Sequence, residues 1–332
     1  MVYLSVGSVA PAYMISVAMT GISVLLGFFS SSVFMMWLSM ELSVCSFCGV
    51  LSFVEMKSGE MIAKYFVVSA FSGVGILCSL LLDWTGTLAV LDESMVSWIF
   101  FMCVYAKLGL PPFHFWVVGV LWGCTWFSAF LLLTVQKVLP FLLMGSSVGL
   151  SNSLISFILV SSLAAGLGGL NHYEPYYLIG YSSMITGNWL VLVSFFSLNT
   201  FLLSLGLYSF GVFLVFFSIR EKSWGVGFGQ CNPWLLMAIM LVVGLPNGPV
   251  FMMKVLIYHS LLGCSCLGGA WVVAFTSILL VPLYLRLLVL VVMGVWGRGL
   301  NELFSDKWAM LAVSLSVMVF IFSGAGWSVL LV

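Results

Sequence analysis

Apolar runs of about 20 residues recur along the whole chain, and each is long enough to cross a bilayer as a helix. Inside hydrocarbon every backbone N–H and C=O needs a partner within the protein. A spanning segment is therefore a helix or a strand of a closed barrel. Strict apolar/polar alternation is missing, which argues against the barrel. Composition agrees, because 63% hydrophobic and 6% charged residues leave more apolar surface than a soluble fold can hide. The chain is expected to be an all-α, polytopic membrane protein.

Run lengths place about eleven transmembrane helices, at approximately 8–29, 32–54, 60–82, 95–118, 122–147, 151–169, 175–196, 198–219, 233–260, 266–293 and 308–330. Short polar connections separate most of them, so 1–332 reads as a single transmembrane domain. Loop charges give an independent check. With alternating helices, Lys57, Arg220, Lys222, Arg298 and Lys307 all fall on the side of the N-terminus. Asp83, Asp92 and Glu93 fall on the other side, with no basic residue among them. The positive-inside rule then puts the N-terminus in the matrix or cytoplasm and the C-terminus opposite.

Several function classes are excluded. Net charge is +0 and no basic run exists, so nucleic acid is not a partner. Met1 to Tyr13 has no lysine or arginine, so neither a secretory signal nor an Arg-rich transit peptide is visible. Together with a bias toward residues with T/G-rich codons, this points to synthesis inside the organelle that uses the chain. Cys45-x-x-Cys48 and Cys264-x-Cys266 lack a second cluster at zinc or iron–sulfur spacing, and free cysteine packs as a small hydrophobe. His114, His172 and His259 do not form the facing pair a b-type haem needs. No metal site, cofactor or nucleophile is expected.

Chemistry is expected instead from charges at membrane depth. These are Glu41 in the second run, Lys64 early in the third, Lys107 in the fourth, Lys137 in the fifth, Lys254 in the ninth and Arg286 in the tenth. A lysine in hydrocarbon costs roughly 3 kcal/mol on insertion scales, so such residues are paired, snorkel to an interface, or work. Lys64 and Arg286 lie near helix ends, where snorkelling is open to them. Lys107, Lys137 and Lys254 share one central carboxylate, Glu41, so at least two lack a fixed acidic partner in this chain. A buried amine that exchanges its proton can accept one and pass it on. Glu41 beside one lysine makes a switchable ion pair.

Two runs break beside their lysines, at Gly109-Leu-Pro-Pro112 and at Gly244-Leu-Pro-Asn-Gly-Pro249. Proline removes a backbone donor and frees carbonyls. Half-helix ends and free carbonyls at the midplane are how membrane proteins coordinate ions and water. His114, one turn past the first break, suits either a freed carbonyl or a proton relay. Tyr181-Ser-Ser183 offers hydroxyls, which commonly serve interhelical hydrogen bonds.

Lys107-Leu-Gly-Leu-Pro-Pro-Phe-His-Phe-Trp116 resembles the central lysine helix of the antiporter-like, proton-pumping subunits of respiratory complex I. The resemblance covers nearly the whole chain. Its other carriers are Trp37 with Met40-Glu41-Leu42, Lys64-Tyr65-Phe66, Leu132 to Lys137 with Pro140, Gly168 to Asn171, Tyr181-Ser-Ser183 with Trp189, Gly244-Leu-Pro246 with Lys254, and Tyr284-Leu-Arg-Leu287. The family implies a membrane-arm subunit of the mitochondrial inner membrane, with no redox centre or NADH site of its own, that moves protons while NADH oxidation and ubiquinone reduction occur elsewhere. It implies Glu41 and Lys107 as the ion pair, Lys137 as the connecting lysine and Lys254 as the exit-side lysine, with Lys64 and His114 as secondary candidates. It implies an antiporter-like fold lacking three N-terminal helices of bacterial relatives, with two discontinuous helices. Implied partners are the other membrane-arm subunits, lipids, protons and internal water.

The chain departs from that family at several positions. Asn247 stands for a second proline in the ninth-helix break. Val118 and Gly119 follow the Trp where a proline and an acid are usual. Tyr176 and Tyr177 replace a basic pair, and Thr186 stands where histidine or asparagine is common. The alternative readings are a stand-alone cation/proton antiporter and a structural membrane subunit whose charges serve assembly.

Overall fold

A computed structural model of the chain describes residues 6–54, 58–85, 93–147, 149, 151–220 and 249–293. Among these, every regular element is helical. In chain order they are α1 (Val6–Phe29), α2 (Val33–Val54), α3 (Ser58–Thr85), α4 (Glu93–Leu108), α5 (Phe115–Leu121), α6 (Trp126–Leu133), α7 (Val135–Ser147), α8 (Asn152–Gly169), α9 (Pro175–Ser194), α10 (Leu198–Arg220), α11 (Pro249–Gly263) and α12 (Leu267–Met293). Seven segments among the described residues are long and apolar enough to span a membrane, one of them, Trp126–Ser146, running through α6 and α7, and Ser94–Leu108 and Pro249–Gly263 are shorter apolar helices. The expected eleventh helix over 308–330 lies outside the described residues, as do residues 244–248 of the expected ninth-helix break.

The helices stop where local chemistry tells them to. Ser32 Oγ accepts the Met35 N–H at the head of α2, a serine N-cap after the Ser30-Ser31-Ser32 turn. Pro175 opens α9, where its missing N–H has no partner to lose. Within helices, serine and threonine hydroxyls return to the preceding turn, as Thr20 does to the Val17 carbonyl at 2.7 Å and Ser161 to Ile158 at 2.9 Å. A hydroxyl satisfied in this way is tolerated in an apolar setting.

The chain forms two compact units, Met1–Ser151 with Leu190–Phe201, and Asn152–Trp189 with Leu202–Val332. In the first, α1 packs on α2, α3 packs on α2 and α4, and α7 lies against α1, α2 and α4. Its outer face is apolar, with Leu25, Phe29, Phe71 and Trp84 exposed. Its interior holds Phe47, Phe101, Tyr105 and Phe141 together with buried serines. In the second unit, α12 packs on α8 and α11. Gly166 and Gly169 on α8 admit Leu279 and Leu283 of α12, and no room is left for a Cβ at either glycine. Small residues at such a crossing let two apolar helices approach closely.

Candidate functional site

The fourth apolar run is two helices. At the end of α4 the Gly109 N–H donates to the Ala106 carbonyl at 3.1 Å, and the Leu110 N–H to that of Tyr105 at 3.3 Å. This pair of bonds closes a helix on a left-handed residue. Gly109 supplies it, with φ +66°, and a Cβ there would also collide with Val117. The Trp116 indole N–H returns from α5 to the Ala106 carbonyl at 3.1 Å. Lys107 is thereby fixed in the last turn of α4, whose partial negative charge attracts an ammonium.

The Lys107 Nζ donates to Glu41 Oε1 at 2.6 Å. Only 6% of the Lys107 side chain is exposed, against 29% of Glu41. The expected ion pair is thus formed, with its cation on the inside.

The fifth run is interrupted as well, a feature not expected from the sequence. At Thr134 the backbone is distorted within the helical region, to φ −118° and ψ −73°, and its hydroxyl donates to the Phe130 carbonyl at 2.7 Å. Such back-bonding often bends a helix without ending it, and here it accompanies the distortion. Lys137 therefore sits in the first turn of α7 rather than mid-helix, and it is 5% exposed. Signals for this break were Thr134 and Pro140, on either side of the lysine.

Lys107 and Lys137 line one cavity of about 20 Å³, together with Ser43, Tyr65, Trp116 and Gln136. That volume holds about one water molecule, and the lining supplies the polar partners a water needs. Gln136 knits the wall. Its Nε2 donates to the Ser43 carbonyl at 3.2 Å, and its Oε1 accepts from the Ser43 hydroxyl at 3.2 Å and the Tyr65 hydroxyl at 3.3 Å.

The remaining expected residues lie elsewhere. Lys64 pairs with Glu60 one turn away at 2.6 Å, with nearly half its side chain exposed, and takes no part in the cavity. His114 precedes α5, and its Nδ1 lies 3.2 Å from the Pro112 carbonyl freed by the break. Lys254 belongs to the second unit, where its Nζ stands 5.5 Å from the Trp189 ring centroid, and the Trp189 indole N–H donates to Thr276 Oγ1 at 2.7 Å.

Arg286 does not snorkel. It is 3% exposed, its Nη1 donates to the Leu170 and His172 carbonyls at 2.6 and 2.9 Å, and its guanidinium lies 4.6 Å from the Tyr173 ring. The carbonyls at the end of α8 draw it inward, an attraction that run length and hydropathy do not reveal. A second cavity of about 20 Å³ is lined by Ser182, Thr186, Tyr208 and Tyr284 among apolar side chains. The Tyr208 hydroxyl reaches Ser183 and Thr186, and that of Tyr284 reaches Ser182. Tyr208 was not singled out by the sequence, and Tyr284 was noted only within Tyr284-Leu-Arg-Leu287, with no hydroxyl role assigned. Among the described residues no three His, Cys, Asp or Glu side chains gather as a metal would require.

The chain is similar to known proteins over most of its length. The chain is 32% identical over 283 residues to NADH-ubiquinone oxidoreductase chain 2 of Branchiostoma lanceolatum, covering 78% of this chain and 80% of that one. It is likewise 32% identical over 241 residues to the sea urchin Strongylocentrotus purpuratus protein of that name, at 68% of each. The chain belongs to the NADH-ubiquinone oxidoreductase chain 2 family. The giant panda (Ailuropoda melanoleuca) member is 27% identical over 296 residues, spanning 83% of this chain and 85% of that one. No family model matches the chain. Among solved structures, a chain of respiratory complex I from Thermus thermophilus superposes with TM-score 0.74 at 18% identity, covering 95% of this chain and 79% of its own. A chain of the Mrp complex from a Dietzia species gives TM-score 0.70 at 14% identity, covering 86% and 60%. Such likenesses give the fold, which is the all-helical, antiporter-like membrane fold expected from the sequence.

Proposed function

We propose that this chain is a membrane-arm subunit of complex I in the mitochondrial inner membrane, with its N-terminus in the matrix and its C-terminus in the intermembrane space. There it translocates protons while NADH oxidation and ubiquinone reduction proceed in other subunits. The observation that carries the reading is a buried cation, Lys107, held at 2.6 Å by one carboxylate and sharing a water-sized cavity with a second buried lysine. Family membership supports the complex, and basic loops on one side support the orientation.

Charge costs set the sequence of events. While Glu41 is close, the Lys107 ammonium has a counter-charge. When Glu41 moves away, the buried cation is left uncompensated, which is costly. Lys107 then releases its proton to water in the cavity, and Lys137 accepts it from there. Lys107 lies in the last turn of α4, whose electronegative end attracts its ammonium at rest. Lys254 serves the exit side.

The test is proton translocation per electron in membrane vesicles holding the assembled complex. Lys107→Ala and Glu41→Ala are each expected to lower it. Unchanged stoichiometry and rate in both variants would overturn the proposal. Normal pumping in whatever assembles, with assembly itself impaired, would make the charges structural. Recovery of the chain as a small species, beside an NADH-oxidising complex intact without it, would indicate a stand-alone antiporter.

A further inference from the structure

The Glu41 carboxylate rests on a glycine. Gly73 is near the middle of α3, and a Cβ built there would overlap Glu41 Oε1 and lie 2.9 Å from the carboxyl carbon. Cβ atoms do not approach other atoms so closely, so a Cβ at this position would push the flexible carboxylate aside, and glycine leaves it where it is. One turn earlier on the same face of α2, the Trp37 indole N–H donates to the Gly73 carbonyl at 2.8 Å. Trp37 and Glu41 thus straddle a single residue of α3. One holds its carbonyl and the other lies against its Cα.

We propose that Gly73 and Trp37 are positioning residues for the Glu41–Lys107 ion pair, Gly73 as the seat of the carboxylate and Trp37 as the latch that fixes the register of α2 on α3. This inference rests on the proton-translocating reading above and names residues that set its geometry. The closed end of α4 fixes the Lys107 backbone and packing leaves only 6% of its side chain exposed, against 29% for Glu41, so the more movable partner of the pair is Glu41. A glutamate side chain has three rotatable bonds, and in an apolar setting little water is at hand to hold it. The seat therefore sets the 2.6 Å contact.

Ordinary helix packing is the competing explanation, since glycine is frequent in membrane helices. The contact itself distinguishes the two. Gly166 and Gly169 admit leucines of a neighbouring helix, whereas Gly73 admits the reacting carboxylate. Trp37 spends its only side-chain donor on the same residue.

The experiment compares protons moved per electron, normalised to assembled complex, for Gly73→Ala, Trp37→Phe and Glu41→Gln, and for each of the first two combined with Glu41→Gln. Gly73→Ala is expected to lose most of the translocation that depends on Glu41, and Trp37→Phe part of it, with NADH oxidation still present. In the Glu41→Gln background neither change should lower translocation further. A residue that only packs helices would lower assembly and add its loss to that of Glu41→Gln, which would overturn the inference. If Gly73→Ala does not assemble, Trp37→Phe decides, because it adds no volume. Full translocation in Trp37→Phe would then overturn the assignment. A neutral Glu41→Gln would remove the parent reading. A damaging Glu41→Gln with neutral Gly73→Ala and Trp37→Phe would remove this inference alone.

Discussion

The Glu41–Lys107 contact has separate expected consequences for stability and, on the proposed function, for transport. Removing one member of a buried pair costs about 3 kcal/mol, because the survivor is left uncompensated, whereas replacing both is often nearly neutral. Glu41→Gln is therefore expected to reduce the amount of assembled complex. Adding Lys107→Met should restore assembly without restoring proton translocation. Native-gel quantification beside a pumping assay checks both halves, and recovered pumping in the double variant would refute a transport role for the pair. Arg286 is structural by the same logic. Arg286→Leu strips the Leu170 and His172 carbonyls of their donor, and hydrogen bonds to a charged group are worth about 1.5–3 kcal/mol each. Its complex should come apart at a lower temperature in detergent. Lysine at this position should recover only part of the loss, since it lacks the planar fork. At this scale the charges were legible in the sequence, because ionisable residues are rare and costly in apolar runs. Partners on other helices were not. The Glu41–Lys107 pairing came only from the family resemblance, and that Trp37 would reach Gly73 depends on which helix faces which, of which composition carries no record; Lys64 and Glu60, one turn apart on α3, were within reach of a sequence reading.

Helix breaks matter because they set where a lysine ends up. Gly109-Leu-Pro-Pro112 announced its break through residue types that cannot continue a helix, and the structure closes α4 there. Thr134 gave a weaker signal, since threonine inside an apolar run usually bonds back to its own helix without interrupting it. Gly109→Ala is predicted to destabilise the turn by about 1–2 kcal/mol, the cost of left-handed backbone for an L-residue, and by more where its Cβ meets Val117. The expected result is less assembled complex and a lower melting temperature. An unchanged melting temperature would mean that the α4 end does not depend on a left-handed residue. Thr134→Val deletes the hydroxyl bond to Phe130 while keeping shape. It should alter pumping more than assembly, because Lys137 starts the segment that follows.

For the whole molecule, apolar run lengths gave fold class and membrane character directly, since hydrocarbon leaves a chain few ways to satisfy its backbone. The grouping into two compact units was not legible, because no linker or composition change marks residues 151 or 190. Family membership carries a prediction at this level. On a native gel of mildly solubilised membranes, peptides of this chain should migrate with the large NADH-oxidising band. The measurement that bears most directly on proton transfer uses Lys137→Arg in that assembled complex. Arginine keeps the positive charge and much of the volume but does not give up its proton. If Lys137 passes protons on, NADH oxidation should persist while protons moved per electron fall. If Lys137 is only a structural charge, arginine should replace it and the ratio should stay at the unmodified value, which would contradict proton transfer through the cavity shared with Lys107.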